Sequence, residues 1–275
     1  MVATDLDGTL LRHDGAVSPR TRAALVAATA AGAAHIVATG RSVAWTRHIL
    51  DDLDYHGLAI CGQGAQLYHA GEHRLLTTVT LDRALARRAV ELLEGSLGAM
   101  GIAVNRDGLD GDVVMDDVFW SQASEEWRST GNTSPKRPLH ATDRAALWSE
   151  PVIKMYLYHP AMTDDELAVA ARELVGQAAQ IVVAGRLLVE LLPLGLTKAT
   201  GLSMAARRLG VTAEQTIAFG DMPNDLPMLR WARHGVAMGS AHPEVLAVAD
   251  EVTAGNEEDG IALVLERLLA GQDQN

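Results

Sequence analysis

Short apolar runs, each closed by a turn, alternate with longer mixed segments through about the first 76 residues. Only four residues precede Asp5, short for a central strand of about 5–6 residues, which leaves open whether a few residues belong upstream of Met1. Ser18-Pro19, an N-cap followed by proline at the first helical position, opens an alanine-rich helix that runs to about Gly32. "HIVATGRS" reads as a buried strand ending at Thr39-Gly40, and Ser42 is placed to cap the helix "VAWTRHILDDL". "LAICG" is the next strand and ends in another glycine turn. This alternation predicts an α/β fold built on a Rossmann-like, doubly wound parallel sheet.

From about residue 77 the rhythm changes. A helix over about 82–94 leads to strand-like pieces at "GIAVNRDG" and "DVVMDD", then to a polar, proline-containing stretch at 129–143. A strand "IKMYLY", a helix "DDELAVAARELV" and a hairpin-like "QIVVAGRLLVELLP" with Gly185 near its turn follow. Such α+β material interrupting an alternating pattern predicts an inserted cap domain at 79–189, flanked by core segments 1–78 and 190–275. After Pro193 the alternation resumes with the helix "KATGLSMAARRLG", a capping box at Thr212 and Gln215, and the strand "TIAFGD". The helix "NDLPMLRWA", the strand "HGVAMG", the helix "HPEVLAVA", the short strand "DEVT" and the helix "EEDGIALVLERLLA" complete the chain.

The 275 residues are 48% hydrophobic, enough for a sizeable core. No apolar run reaches the roughly 18 residues that span a bilayer, and the N-terminus lacks a basic segment followed by an apolar stretch, so a cytoplasmic protein without a membrane partner is expected. Cys61 is the single cysteine, which excludes an internal disulfide and disfavours a cysteine-based zinc site. A net charge of -12 disfavours nucleic acid, whose phosphates attract Lys and Arg. An anionic small molecule would therefore need a local cation. Only Lys136, Lys154 and Lys198 are lysines among the 23 basic residues, which makes each lysine conspicuous.

Residues two apart in a strand share a face, so Asp5 and Asp7 can look the same way at the carboxyl end of the first strand, where open parallel sheets bind ligands. Gly8 lets the backbone turn beneath them and Thr9 adds a hydroxyl. Two carboxylates about 4 Å apart repel by roughly 4 kcal/mol at an effective dielectric near 20, so they want a cation or a shared proton. Asp221 in "GDMPNDLPML" supplies a third acid just after a strand, with Asn224 and Asp225 opening the next helix. Oxygen ligands without a His or Cys cluster point to Mg²⁺.

With "DLDGTLL", "ATGR", "TKATGL" and "GDMPNDLPML" in this order, and "ADEVTAGNEEDGIA" near the end, the sequence resembles the haloacid dehalogenase superfamily, and within it the Cof-type phosphatases with an α/β cap inserted after the second motif. The resemblance covers nearly the whole chain. It implies a Mg²⁺-dependent phosphatase of small phosphorylated metabolites, with Asp5 as nucleophile and Asp7 as acid and then base. It implies that the Asp5 and Asp221 side chains and the Asp7 carbonyl hold the metal. Thr39, Gly40 and Arg41 would bind the phosphoryl group, Lys198 would neutralise its charge, Asn224 would contact the phosphate region, and Asp225 would orient Lys198 or the metal's waters. The partner implied is a small-molecule phosphate ester, bound by a monomer or a weak homodimer.

Two alternatives stay open at this point. A phosphosugar mutase of the same superfamily would return the phosphate to another hydroxyl, and a signalling receiver would hold a phosphoaspartate without turnover; receivers are much shorter and lack a cap. Three departures from the family pattern stand out. "GQGA" replaces the commoner Asn-Gly-Ala, so Gln63 is expected to alter contacts near the cap hinge. Thr200 stands where a small residue is commoner, and the first strand is short. The acidic loop "NRDGLDGDVVMDD" offers no register for a calcium loop and is expected to be a solvated hairpin. Trp120, Trp127 and Trp148 are expected to pack in preference to lining a substrate pocket in the cap, and Glu190 either to form a salt bridge or to reach toward substrate.

Overall fold

The computed structural model describes residues 1–129 and 136–272; residues 130–135 of the polar stretch, and 273–275, lie outside the described residues. Two compact units divide the chain: Met1–Gly40, Ile49–Arg74 and Thr197–Asn275 form the first, and Arg41–His48 with Leu75–Leu196 the second. The elements in chain order begin with β1 (Val2–Thr4), α1 (Pro19–Ala30), β2 (His35–Ala38), α2 (Val43–Asp52), β3 (Leu58–Cys61), β4 (Gln66–His69) and β5 (Arg74–Thr78). Next come α3 (Arg83–Leu97), β6 (Gly101–Arg106), β7 (Val113–Met115), α4 (Asp117–Ser129), β8 (Leu139–His140), β9 (Val152–Tyr158), α5 (Asp164–Val175), β10 (Gln180–Val183) and β11 (Val189–Leu192). The chain finishes with α6 (Lys198–Leu209), β12 (Ile217–Gly220), α7 (Leu226–Trp231), β13 (His234–Ala237), α8 (Pro243–Leu246), β14 (Glu251–Val252) and α9 (Gly260–Gln272).

The first sheet runs β14-β13-β12-β1-β2-β3-β4-β5. The strands from β14 to β3 pair in parallel, and β3 with β4 antiparallel. Although short, β1 is central: Val2, Ala3 and Thr4 pair with Ile217, Ala218 and Phe219 on one side and with His35, Ile36 and Val37 on the other. All three are buried, as strands covered on both faces must be. The helices start where their sequences provide caps. Ser18 Oγ accepts the Thr21 N–H at 3.0 Å, Pro19 follows it, and Thr197 with Thr200 forms a capping box at α6. Thr200 therefore has a defined task. Ser42 differs from expectation, because its buried hydroxyl has no hydrogen-bond partner among the described residues and so caps nothing.

The second unit is a sheet in the order β10-β11-β9-β6-β7-β8. One face carries Ile102, Val104, Val114, Met155, Leu157, Val189 and Leu191 against α3 and α5. The other face carries Ala103, Val113, Met115 and Tyr156, packed with Trp45, Phe119 and Trp127. Trp127 meets Trp45 edge-on at 5.5 Å, Trp120 stacks on His140, and Trp148 lies beneath Arg87. Three boundaries differ from the sequence reading, the first being residues 75–78, which lie in the second unit and not the core. Residues 190–196 lie in the second unit, because β11 is hydrogen-bonded between β9 and β10. Arg41–His48 also lie there, since Ala44 and Trp45 join that unit's second core. Glu190 makes a buried ion pair with Lys154, whose ammonium sits 4.7 Å from the Tyr156 ring centre. The acidic loop is the β6–β7 hairpin, tied down by Lys136 through the Asp110 carbonyl and Asp112. No helix among the described residues is long and apolar enough to cross a membrane.

Candidate active site

Because β1 and β12 are parallel neighbours, their carboxyl ends bring Asp5 and Asp221 side by side. The Asp5 amide donates to the Phe219 carbonyl at 3.0 Å, continuing the ladder into the turn. Gly8 then takes φ +76°, and a Cβ there would stand 2.4 Å from Asp221 Oδ2. Glycine is needed both for the turn and for the close approach. Thr9 Oγ1 donates to Asp221 Oδ1 at 3.0 Å, fixing that carboxylate. The Asp7 side chain is exposed, close enough that its charge is felt at Asp5.

Lys198, the first residue of α6, is 1% exposed. Its ammonium donates to Asp5 Oδ1 at 2.5 Å and to Asp225 Oδ1 at 2.6 Å. Asp225 is fully buried, and its Oδ2 accepts the backbone N–H groups of Asp221 and Met222, both at 3.0 Å. Both of its oxygens are therefore engaged, and its geometric task is to anchor Lys198 and the turn after β12.

The charges explain the proton affinities. Burial and then Asp225 push the Asp5 carboxyl well above the usual carboxylate range, with Lys198 pulling it down and Asp221 and Asp7 adding to the rise. Asp221 is pushed up to about 6 by burial and by Asp225, against the Thr9 hydrogen bond and the Lys198 charge. For Lys198, burial favours loss of the proton, but Asp225 and Asp5 outweigh it and hold the ammonium above its ordinary value. Oxygens of Asp5, Asp221 and Asp225 all lie within 4.8 Å of one another. Acids crowded this closely, with oxygen donors only, fit a hard divalent cation such as Mg²⁺. Since Asp225 is committed elsewhere, Asp5 and Asp221 are the side chains that could hold it.

A second group forms around the turn after β3. Thr39 is buried; its N–H donates to the Ile60 carbonyl at 2.8 Å, and its carbonyl accepts the Gln63 N–H at 3.2 Å. Asn224 Nδ2 donates to Gln63 Oε1 at 3.1 Å. Gln63 Nε2 would be 2.7 Å from a Cβ on Gly40. Asp5, Lys198, Asp221 and Asp225 are thus joined directly, and Thr39, Gly40 and Asn224 are joined through Gln63. Arg41 is half-buried and opens the segment that belongs to the second unit. Gln63 stood out in sequence only as a departure from the usual Asn-Gly-Ala; its contacts depend on the tertiary fold.

The haloacid dehalogenase-like hydrolase family profile matches residues 2–265. A 5-amino-6-(5-phospho-D-ribitylamino)uracil phosphatase of Bacillus subtilis (strain 168) is 27% identical over 291 residues, covering 98% of each chain. An HMP-PP phosphatase of Citrobacter koseri is 25% identical, covering 90% of this chain and 86% of its own. The solved structure of a subclass IIB sugar phosphatase of the superfamily superposes with a TM-score of 0.81 at 26% identity, covering 97% of this chain and 98% of that one. With a matching profile from the second residue to α9, the chain belongs to the haloacid dehalogenase-like hydrolase family, whose phosphatases it resembles along its length.

Proposed function

We propose that this phosphatase hydrolyses small phosphomonoesters, sugar phosphates or compounds like them, with Asp5 as the nucleophile. The observation that carries the reading is the buried Lys198 ammonium shared by Asp5 and Asp225, which cancels charge where an anionic ester must approach an acid. A carboxylate oxygen of Asp5 forms a bond to phosphorus as the ester P–O bond breaks, and Asp7 gives its proton to the leaving alkoxide. Asp7 then takes a proton from water, whose oxygen attacks phosphorus. The Asp5–phosphorus bond breaks and inorganic phosphate leaves. Lys198 balances the charge on the nucleophile and phosphoryl oxygens, Asp225 holds Lys198 in place, and Thr39, Gly40, Arg41 and Asn224 bind the phosphoryl group. Mg²⁺ would be held by the side chains of Asp5 and Asp221 and the Asp7 carbonyl, and would supply further positive charge for the phosphoryl group.

The relatives' substrates, a phosphorylated ribitylaminouracil, HMP-PP and a sugar phosphate, define the panel to screen by phosphate release. Asp5→Asn is expected to abolish phosphate release from para-nitrophenyl phosphate while the chain remains folded. Release at more than a few per cent of the parent rate would place the nucleophile elsewhere.

A further inference from the structure

Gln63 sits in the middle of three consecutive residues with positive φ: Gly62 at 60°, Gln63 at 61° and Gly64 at 107°. Glycine at the two flanks costs nothing sterically, whereas a glutamine at φ 61°, ψ 22° is strained. The requirement at Gly64 is packing, because a Cβ would lie 2.3 Å from the carbonyl oxygen of Thr197, the cap of the helix that begins with Lys198. Nothing similar explains the residue between the glycines. Gln63 is 2% exposed, so its carboxamide is a buried polar group that must be bonded. A strained, buried polar residue persists where its surroundings over-determine it, often at functional sites.

The side chain joins two groups that the proposed reaction places on the phosphoryl moiety. Oε1 holds Asn224 Nδ2 at 3.1 Å, Nε2 lies against Gly40, and the backbone N–H is bonded to the Thr39 carbonyl. Asn224 Oδ1 is buried with no hydrogen-bond partner among the described residues. With one end of the Asn224 carboxamide held by Gln63, only the other end is left for a ligand. Rotating both carboxamides by half a turn keeps the bond between them and puts the Asn224 NH₂, a donor that a phosphoryl oxygen can accept, where Oδ1 stands.

We propose that Gln63 is a positioning residue that orients Asn224 and seats the Thr39–Gly40 turn for the phosphoryl group. The inference rests on the phosphate-binding roles assigned to those three residues above. Three variants of the full chain, Gln63→Gly, Gln63→Met and Asn224→Ala, and the Gln63→Gly/Asn224→Ala double variant are compared in Mg²⁺. The readouts are hydrolysis of para-nitrophenyl phosphate, competitive inhibition by inorganic phosphate, and the urea midpoint. Gln63→Gly relieves the backbone strain and is expected to be at least as stable as the parent. Its kcat/KM should fall, and its inhibition constant for phosphate should rise, by roughly threefold to tenfold, the effect of losing one modest hydrogen bond. Gln63→Met keeps bulk beside Gly40 but has no carboxamide, and should weaken phosphate inhibition equally. In the Asn224→Ala background, Gln63→Gly should add less than twofold, because the two residues act as one unit.

Unchanged phosphate inhibition in Gln63→Gly and Gln63→Met, with Asn224→Ala impaired, would overturn the inference and leave the site assignment standing. Fully additive effects would also overturn it. If Asn224→Ala itself leaves phosphate inhibition and kcat/KM unaltered, the assignment beneath it fails as well.

Discussion

Lys198→Met removes the central charge while nearly keeping the side-chain volume. The substitution breaks two charge-assisted hydrogen bonds, at 2.5 and 2.6 Å, and leaves Asp5, Asp221 and Asp225 with oxygens within 4.8 Å of one another and no lysine between them. Two carboxylates at such a separation repel by about 3.5 kcal/mol at an effective dielectric near 20. Removing one partner of a buried ion pair costs about 3–5 kcal/mol, a large fraction of a domain's net stability of about 5–15 kcal/mol. The loss should depend on pH with a definite sign. Asp5 already binds its proton more tightly in the folded chain than in the unfolded one, so this group favours the folded state as pH falls below its raised value. Lys198 holds the Asp5 carboxyl down, so without it Asp5 binds its proton more tightly still, and the folded variant gains more than the parent as pH falls. Urea unfolding in EDTA, at both pH values, measures this. The expected result is a deficit of about 3–5 kcal/mol at pH 7 that is smaller at pH 5. Adding Asp225→Asn should recover part of the pH 7 deficit without restoring activity. A loss below about 1 kcal/mol, or one that does not change with pH, would refute the view that Lys198 is the acids' counter-charge.

Mg²⁺ at about a hundred times its dissociation constant should stabilise the parent by about 2.7 kcal/mol in thermal or urea unfolding, and Asp221→Asn should lose most of that gain; equal gains in both proteins would remove Asp221 from the metal site. His35, bonded to Thr4 Oγ1 at 2.9 Å and edge-on to Tyr55, has its imidazole lowered by burial to about 4. The unfolded chain therefore takes up this proton first, and stability present above about pH 6.5 is lost as pH falls toward 4. The loss should be about 2 kcal/mol, because the ring is only partly buried. Urea midpoints of the parent and His35→Gln at pH 7 and 4.5 test this, and identical pH slopes would refute it.

Much of the site was legible because its parts sit at turns with recognisable chemistry. Asp5 is followed by a glycine and a threonine, Lys198 stands immediately after a capping threonine, and Asp221 falls between a strand and a helix opened by proline. The chain's scarcity of lysine singled out Lys198. Gln63 and Asn224 were each visible, but their bond crosses 161 residues of sequence, and no local pattern encodes such a contact. The helix α4 escaped the sequence reading because "VVMDDVFW" is rich in β-branched and aromatic residues. Its signals were nonetheless present: Asp116 accepts the Phe119 N–H at 2.9 Å, and Phe119, Ala123 and Trp127 bury one helical stripe. The β4 strand also went unread, since an antiparallel strand beside β3 breaks the alternation on which the expectation rested. Residues 190–192 were assigned to the core although the hairpin pattern that contains them runs on to Pro193, and strand pairing carries β11 into the second sheet.

The central place of β1 also sets a timetable for biosynthesis. Its partner β12 and the residues that complete the centre arrive late: Lys198 follows Asp5 by 193 residues, and Asp221 follows Thr9 by 212. At about 5–20 residues per second, a ribosome needs roughly ten to forty seconds between the first aspartate and the strand that flanks it. Throughout that interval β1 lacks one of its two neighbours, and by its end all of Leu75–Leu196 in the second unit has been made. A nascent chain halted before β12 would therefore carry Asp5 and Asp7 but could not assemble the cluster of Asp5, Lys198, Asp221 and Asp225, so the first acids of the candidate site wait for partners made some two hundred residues later.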